Sequence, residues 1–445
     1  MTDTDLIVKA DYVLPMDKDL SIIREGAVAV KDGKILAVGE AADLCDKYST
    51  DRIVGGPGKL LMPGLVNTHT HSPMVFFRGL ADDKPLRVWL EDFIWPAEKT
   101  WLSPQFVSDA SELACLEMLK AGITLFNDMY FFGHEIATTA AKMGIRAVVG
   151  AGIVDFPTNT ASTVDEYLMN AGALIERWKG DEYITPCVAP HSAYACGPET
   201  LKKARQLAEK SDVPLQIHLS ETEWEVGEIL SRYGKRPVHH LADLGLLGNR
   251  LTAAHCVWVD EEEIDLLAEK KVNVSHCMES NLKLASGFAP VASMLARGVL
   301  VSLGTDGAAS NNDLNLLSEM STTAKVHKAL SGDPTVLDAR TMVRMATSAG
   351  AAGLGKGDVT GSLETGKAAD MIVADLAKPH MTPLYDPYSH VVYSLSSSDI
   401  ETVVVNGRVV VDQGRLTGAD ESEIITKGVE WGRRIGAVKR MPSKG

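Results

Sequence analysis

The chain has 445 residues, 45% of them hydrophobic, and a formal charge of −15. That length is enough to bury a large core. No apolar run approaches the roughly 18 residues of a membrane span, and so acidic a surface repels phosphate backbones, which sets nucleic acid aside as a partner. The six cysteines are scattered without a C-x-x-C pair, so neither a disulfide framework nor a cysteine zinc site is expected. The acidic opening Met1-Thr2-Asp3-Thr4-Asp5 lacks the basic start of a secretory signal, which points to a cytoplasmic protein, alone or as a homo-oligomer.

In chain order, residues 6–14 and 27–38 read as strands rich in β-branched side chains, the second broken by the turn Lys31-Asp32-Gly33-Lys34. The middle then alternates. Short apolar strands at 65–69, 124–129, 147–153, 185–190, 215–219, 251–255, 272–276 and 299–305 are separated by helical stretches such as 104–121, 198–211, 261–270 and 313–329. Eight strands, each followed by a helix, spell a (β/α)₈ barrel. After it come a strand at 369–375, a hairpin at 402–411 turning on Asn406-Gly407, and a helix over 421–439. The expected architecture is α/β: a distorted (β/α)₈ TIM barrel over residues 61–365, with one small β-sandwich domain built from 1–60 and 366–445.

In such a barrel the chemistry sits at the C-terminal ends of the strands. The first strand ends in His69-Thr70-His71, and residues i and i+2 of a strand point to the same side. The fifth ends in His218, with Glu221 three residues on; the sixth ends in His255; the eighth runs into Gly304-Thr305-Asp306-Gly307. Taken singly, each of these reads best as a buried, hydrogen-bonded polar residue. Taken together they do not, because burying so many ionisable groups at one rim without purpose costs several kcal/mol. Histidine nitrogens with one carboxylate and an open position suit a catalytic zinc or iron ion.

These segments, with Pro63-Gly64 ahead of the first strand, Ala254-His255-Cys256 and Gly366-Lys367-Ala368-Ala369-Asp370 after the barrel, resemble the amidohydrolase superfamily. Within it the chain is similar, nearly end to end, to the 5-methylthioadenosine/S-adenosylhomocysteine deaminases. The resemblance implies that His69, His71, His218 and Asp306 hold one divalent ion, zinc before iron. It makes Glu221 the proton shuttle and His255 a residue that orients the attacking water. Asp306 would take a proton from that water, and Glu221 would deliver one to the ring nitrogen beside the attacked carbon. Binuclear members of the superfamily carry a bridging lysine on the fourth strand; here that strand reads Thr185-Pro186-Cys187-Val188-Ala189-Pro190, so one metal is expected.

The same resemblance gives Glu98 the ribose hydroxyls of a purine nucleoside, makes His191 a nucleoside contact and puts Ser310 in the base pocket. Trp89, Phe93 and Trp95 would suit a purine wall, but aromatic residues at this spacing read equally as core and are left out of the site. His276 reads as structural or supporting. Relatives that handle S-adenosylhomocysteine often carry an arginine after the third strand, where this chain has Val154-Asp155-Phe156-Pro157. That departure favours nucleosides with a small or apolar 5′ group. The rival within the superfamily is hydrolysis of another heterocycle: a guanine-like base, cytosine or an s-triazine. A non-catalytic scaffold is the remote alternative, since such proteins usually lose ligands.

Overall fold

A computed structural model describes residues 2–439. Eight parallel strands, Leu65–Thr70, Ile123–Tyr130, Arg146–Ile153, Ile184–Pro190, Leu215–Leu219, Leu251–His255, Asn273–His276 and Leu300–Leu303, lie side by side in chain order. They are almost wholly buried, which is why they read as continuous apolar runs and not as alternating ones. Helices between them cover the outside, each apolar stripe turned to the strands. No helix among the described residues is long and apolar enough to cross a membrane.

The barrel is distorted at its seam. Among the described residues no ladder joins the eighth strand to the first. Side chains and one backbone bond stitch the gap instead. Asn67 Nδ2 donates to Thr305 Oγ1 at 2.8 Å, and Asn67 Oδ1 accepts the Thr305 N–H at 3.0 Å. Thr68 Oγ1 donates to the Leu303 carbonyl at 2.8 Å, and the Asp306 N–H reaches the His69 carbonyl at 2.9 Å. These polar residues in an otherwise apolar strand satisfy backbone and side-chain groups that closure would otherwise leave buried and unpaired.

Both ends of the chain enter a second, eight-stranded sheet, where Ile53–Pro63 pairs antiparallel with Met371–Asp375. The N-terminal half contributes Leu6–Val13, Ile23–Lys31 and Lys34–Glu40; the C-terminal half contributes Ile400–Val405, Arg408–Asp412 and Arg415–Leu416. One continuous sheet bends back on itself. Val8, Val28 and Val30 from one half pack with Met371, Val373 and Val404 from the other. The two hairpin turns legible in the sequence meet as a result: a Cβ on Gly407 would lie 2.8 Å from Gly33 Cα. The final helix, Glu421–Lys439, returns to the barrel and lays Trp431 on Phe106, with the indole N–H donating to Asp109 at 3.0 Å.

The helix expected from 313 begins at Leu316, because the Asn315 side chain accepts the Leu317 N–H and caps it there.

A buried ion pair fixes the sheet to the foot of the barrel. Arg146, at the start of the third barrel strand, donates to Asp370 Oδ2 at 2.7 Å and to Asn406 Oδ1 at 2.9 Å. Asp370 Oδ1 takes the Asn406 N–H at 2.7 Å. The side chains are 6% and 0% exposed, so removing the cation strands a buried carboxylate. Arg146→Ala should therefore destabilise the protein by about 3–5 kcal/mol, seen as a large drop in the urea midpoint. A midpoint unchanged from wild type would show that the pair does not join the two units.

Candidate active site

The strand ends converge where the sequence pattern put them. His71 Nε2 lies 3.2 Å from His218 Nε2 and 3.2 Å from Asp306 Oδ1, and His69 Nε2 lies 3.5 Å from the same oxygen. The ligating atoms of His69, His71 and Asp306 fall within 4.8 Å of one another, as do those of His69, His218 and His255. Second hydrogen bonds set the tautomers: His71 Nδ1 faces the Met129 carbonyl and His218 Nδ1 the His191 carbonyl at 2.7 Å. Each ring thereby turns its Nε2 lone pair to the centre.

The backbone at this rim is unusual. His255 (φ 72°), Asp306 (φ 60°) and Ser220 (φ 51°), just before Glu221, all occupy the left-handed region. Such conformations cost roughly 1–3 kcal/mol each in non-glycine residues and cluster at functional sites. They re-aim side chains that a regular strand would point elsewhere.

The donor set fits a divalent ion. His69 Nε2 is buried with no hydrogen-bond partner, an arrangement that is costly unless something at the centre takes its lone pair. Burial holds His69 down at about 4 and His218 well below the usual histidine range, which keeps both rings neutral and able to ligate. Burial would raise Asp306, but His69 and His71 outweigh it and hold the carboxyl well below its usual range. A separation of 3.2 Å between two ring nitrogens is close to what two zinc–nitrogen bonds of roughly 2.0–2.1 Å to one ion would leave.

Asp306 is fully provided for on its other side. Its Oδ2 accepts the hydroxyls of Ser280 at 2.7 Å and Ser310 at 2.8 Å, and its Oδ1 takes the Gly307 N–H at 2.8 Å. Ser310 lines the cavity, and its hydroxyl is committed to this carboxylate. Glu221 is buried, and burial raises its pKa; its Oε2 lies 3.8 Å from His255 Nε2. His255 Nδ1 pairs with Asn281 Oδ1 at 3.0 Å.

A cavity of about 410 Å³ opens from this cluster. His71, His218, Glu221, His255 and Asp306 reach into it, and so do Glu98 and His191. Glu98 is no solvated helix-start residue. It is buried on the helix Trp95–Trp101, takes the Tyr130 hydroxyl at 2.6 Å, and is pushed by burial up to about 7. The His191 ring lies against His218 with centroids 4.5 Å apart. Trp89 and Trp95 also line the cavity, although aromatic spacing alone left them out of the site. His276 is buried beside His327 at 5.4 Å, with neither ring nitrogen partnered.

Several supporting residues escaped sequence reasoning. Tyr130, Ser280 and Asn281 have no pattern of their own, since their partners are distant in sequence. Glu225 had a visible trace, the Thr222-x-x-Glu225 spacing of a helix start. Its carboxylate accepts the Ser220 N–H at 3.1 Å and the Glu221 N–H at 2.8 Å, and so clamps the turn that carries Glu221.

Residues 60–410 match the model of the amidohydrolase family, and residues 26–48 match that of a bacterial imidazolonepropionase-like composite domain. The chain belongs to the amidohydrolase family. It is 54% identical over 431 residues, 96% of this chain and 98% of the other, to a 5-methylthioadenosine/S-adenosylhomocysteine deaminase of Thermodesulfovibrio yellowstonii. It is 44% identical over 423 residues, 95% and 96% of the two chains, to a 5′-deoxyadenosine deaminase of Methanosarcina acetivorans. Among solved structures it resembles an adenosine deaminase from Xanthomonas campestris with bound zinc, at TM-score 0.97 and 42% identity over 98% of this chain and 99% of that one. An atrazine chlorohydrolase from Arthrobacter aurescens, complexed with zinc, matches at TM-score 0.90 and 26% identity over 96% and 100%.

Gly304 lets the eighth strand pass against the first. A Cβ there would lie 2.6 Å from Ser275 Oγ and 2.8 Å from His69 Cβ, so His69 would have to move. Gly304→Ala should purify with substoichiometric metal by elemental analysis while keeping its far-ultraviolet circular dichroism. Full metal occupancy in that variant would mean that the seam tolerates the added methyl group and does not set the position of His69.

Proposed function

We propose that this chain is a hydrolytic deaminase of adenine nucleosides, replacing the 6-amino group with oxygen from water and releasing ammonia. One observation carries the reading. A single cavity presents the imidazole–carboxylate cluster with Glu221, and also a buried carboxylate, Glu98, suited to two adjacent hydroxyls. A free base or a triazine has no ribose for Glu98 to hold. Relatives of 43–54% identity carry 5-methylthioadenosine/S-adenosylhomocysteine deaminase and 5′-deoxyadenosine deaminase names, which supports the nucleoside over the other heterocycles.

In this reading His69, His71, His218 and Asp306 hold one divalent ion, zinc by analogy with the bound neighbour. When bound, such an ion supplies the Lewis acidity that makes water a usable nucleophile near neutral pH. The protein does the rest. His255, kept in one tautomer by Asn281, aligns the water through Nε2. Asp306 accepts a proton from it; its charge is sustained by two serine hydroxyls and a backbone N–H. Glu221, whose burial favours the protonated form, gives its proton to the ring nitrogen beside the attacked carbon. The C–O bond forms, the C–N bond breaks, and the amine leaves as ammonia after taking up a proton. Glu98 accepts the ribose hydroxyls and the His191 ring flanks the nucleoside, which fixes the ring carbon against the water.

Two measurements test this. Glu221→Gln should keep its metal and lose about 10²–10⁴-fold in kcat on adenosine, because the amide hydrogen-bonds but cannot deliver a proton. Near-normal turnover would remove Glu221 from that role. Glu98 gives a pH signature. Its carboxyl titrates at about 7 in the fold, so the charged acceptor is present above that pH and is lost as pH falls through it. KM for adenosine should rise on the acid side of pH 7, and Glu98→Gln should flatten that limb while raising KM throughout. An acid limb that survives the substitution would belong to another group.

A further inference from the structure

The helix Met278–Lys283, which follows the seventh barrel strand, presents two neighbouring residues to the site. Ser280 donates to Asp306 Oδ2 at 2.7 Å, and Asn281 Oδ1 accepts from His255 Nδ1 at 3.0 Å. A helix of six residues is not stable by itself in water, so its place comes from what holds its ends. Glu319, on the helix Leu316–Ser331, holds the first end. It is fully buried, and its carboxylate accepts the N–H groups of Met278 and, at 3.2 Å, of Glu279. The two helices are joined a second time in the opposite sense: Glu279 Oε1 accepts the hydroxyls of Ser318 and Thr322, each at 2.6 Å. Lys283 holds the other end. Its ammonium donates to Asp82 Oδ1 at 2.6 Å, to the Ala309 carbonyl at 3.2 Å and to Asn312 Oδ1, in the segments that follow the first and eighth strands.

We propose that Glu319 is a positioning residue for the chemical step, acting through this short helix on His255 and Asp306. The proposal rests on the roles given to those two residues above. Glu319 does not line the cavity, so it meets no substrate. Among the described residues no lysine or arginine pairs with it, and the groups that stabilise its carboxylate are the two N–H donors. An acid buried without a cation is costly. Its buried neighbours Leu316, Met320 and Ala324 are apolar, so packing alone asks for no carboxylate at 319. What the carboxylate adds is direction. Bonds to two successive N–H groups fix where the short helix starts and how it is rotated about its axis. Rotation matters because consecutive residues of a helix lie roughly 100° apart around it, and Ser280 and Asn281 have separate targets. A rotation that improved one contact would break the other. The ribose end is built elsewhere: Glu98 lies on the helix Trp95–Trp101 and His191 follows the fourth strand, so neither depends on Glu319.

The test is a pair of double-mutant cycles on the zinc-loaded protein, with circular dichroism to check folding. Glu319→Gln turns an amide N–H against one of the two backbone N–H groups, so one hydrogen bond is lost while the volume is kept. On adenosine, kcat per bound zinc should fall about tenfold, the size expected for losing an outer support of a metal site, with KM unchanged. In an Asn281→Ala background the same substitution should cost much less, because the path to His255 is already cut. Zinc affinity, measured by competition with a chelator and without substrate, should weaken by a similar factor, and little further once Ser280→Ala is present. Glu279→Ala loosens the same joint at a half-buried position. It should lower both quantities in the same way by less, and it replaces Glu319→Gln in both cycles if that variant does not fold. Losses that add in either cycle, or no loss in kcat or zinc affinity, overturn the proposal, since a residue that only fills the core acts independently of Asn281 and Ser280. A zinc-loaded wild type that releases no ammonia from adenosine overturns the nucleoside reading instead, and the zinc cycle then decides the proposal alone.

Discussion

One buried carboxylate organises the active site. Asp306 sits at the barrel seam with two imidazoles on one side and two serine hydroxyls and a backbone N–H on the other. An uncompensated charge in that position would cost several kcal/mol. Its five partners are His69 and His71 at the end of the first strand, Ser280 after the seventh, Gly307 beside it, and Ser310 in the following turn. Satisfying one charge therefore fixes how the first, seventh and eighth strands end. Where the eighth strand meets the first, the backbone at Asp306 is turned into the left-handed region, which brings the carboxylate inward.

The same economy runs outward. Glu225 clamps the turn that presents Glu221, Asn281 fixes His255, and Tyr130 holds Glu98. Each is a single hydrogen bond or pair of bonds to a group expected to touch substrate or water, and each donor or acceptor is supplied by a different element. Such outer contacts hold side chains within the fractions of an ångström that proximity effects demand. At the other end of the barrel, Arg146 and Asp370 play a mechanical part, tying the sheet made from both termini to the strands beneath the site.

The cavity itself is walled from one side by the loop and helices between the first and second strands. Leu86, Trp89, Leu90 and Trp95 form that wall, with a stretch of π-helix at Trp89–Ile94. Wide-turn segments of this kind are rare and occur often at functional sites. Here the segment lies between the cavity lined by the imidazole–carboxylate cluster and a second chamber that shares Leu86, Leu90 and Trp95 with it.

Much of this was legible without coordinates. The eight barrel strands and the terminal helix follow from apolar runs and helical periodicity, because these are local properties that survive in any tertiary context. His69, His71, His218, His255, Glu221 and Asp306 stood out because strand ends of one barrel share one rim, so topology alone converts their spacing into proximity. What the sequence left open depends on contacts between residues far apart in the chain. The bend that makes one sheet from two termini, the commitment of the Ser310 hydroxyl to Asp306, the burial that raises Glu98 and the Arg87–Trp224 pair in the second chamber have no local pattern. Composition and periodicity report what each segment prefers. Burial and left-handed strand ends exist only once the segments are packed, because each is a property of the surroundings and not of the residue.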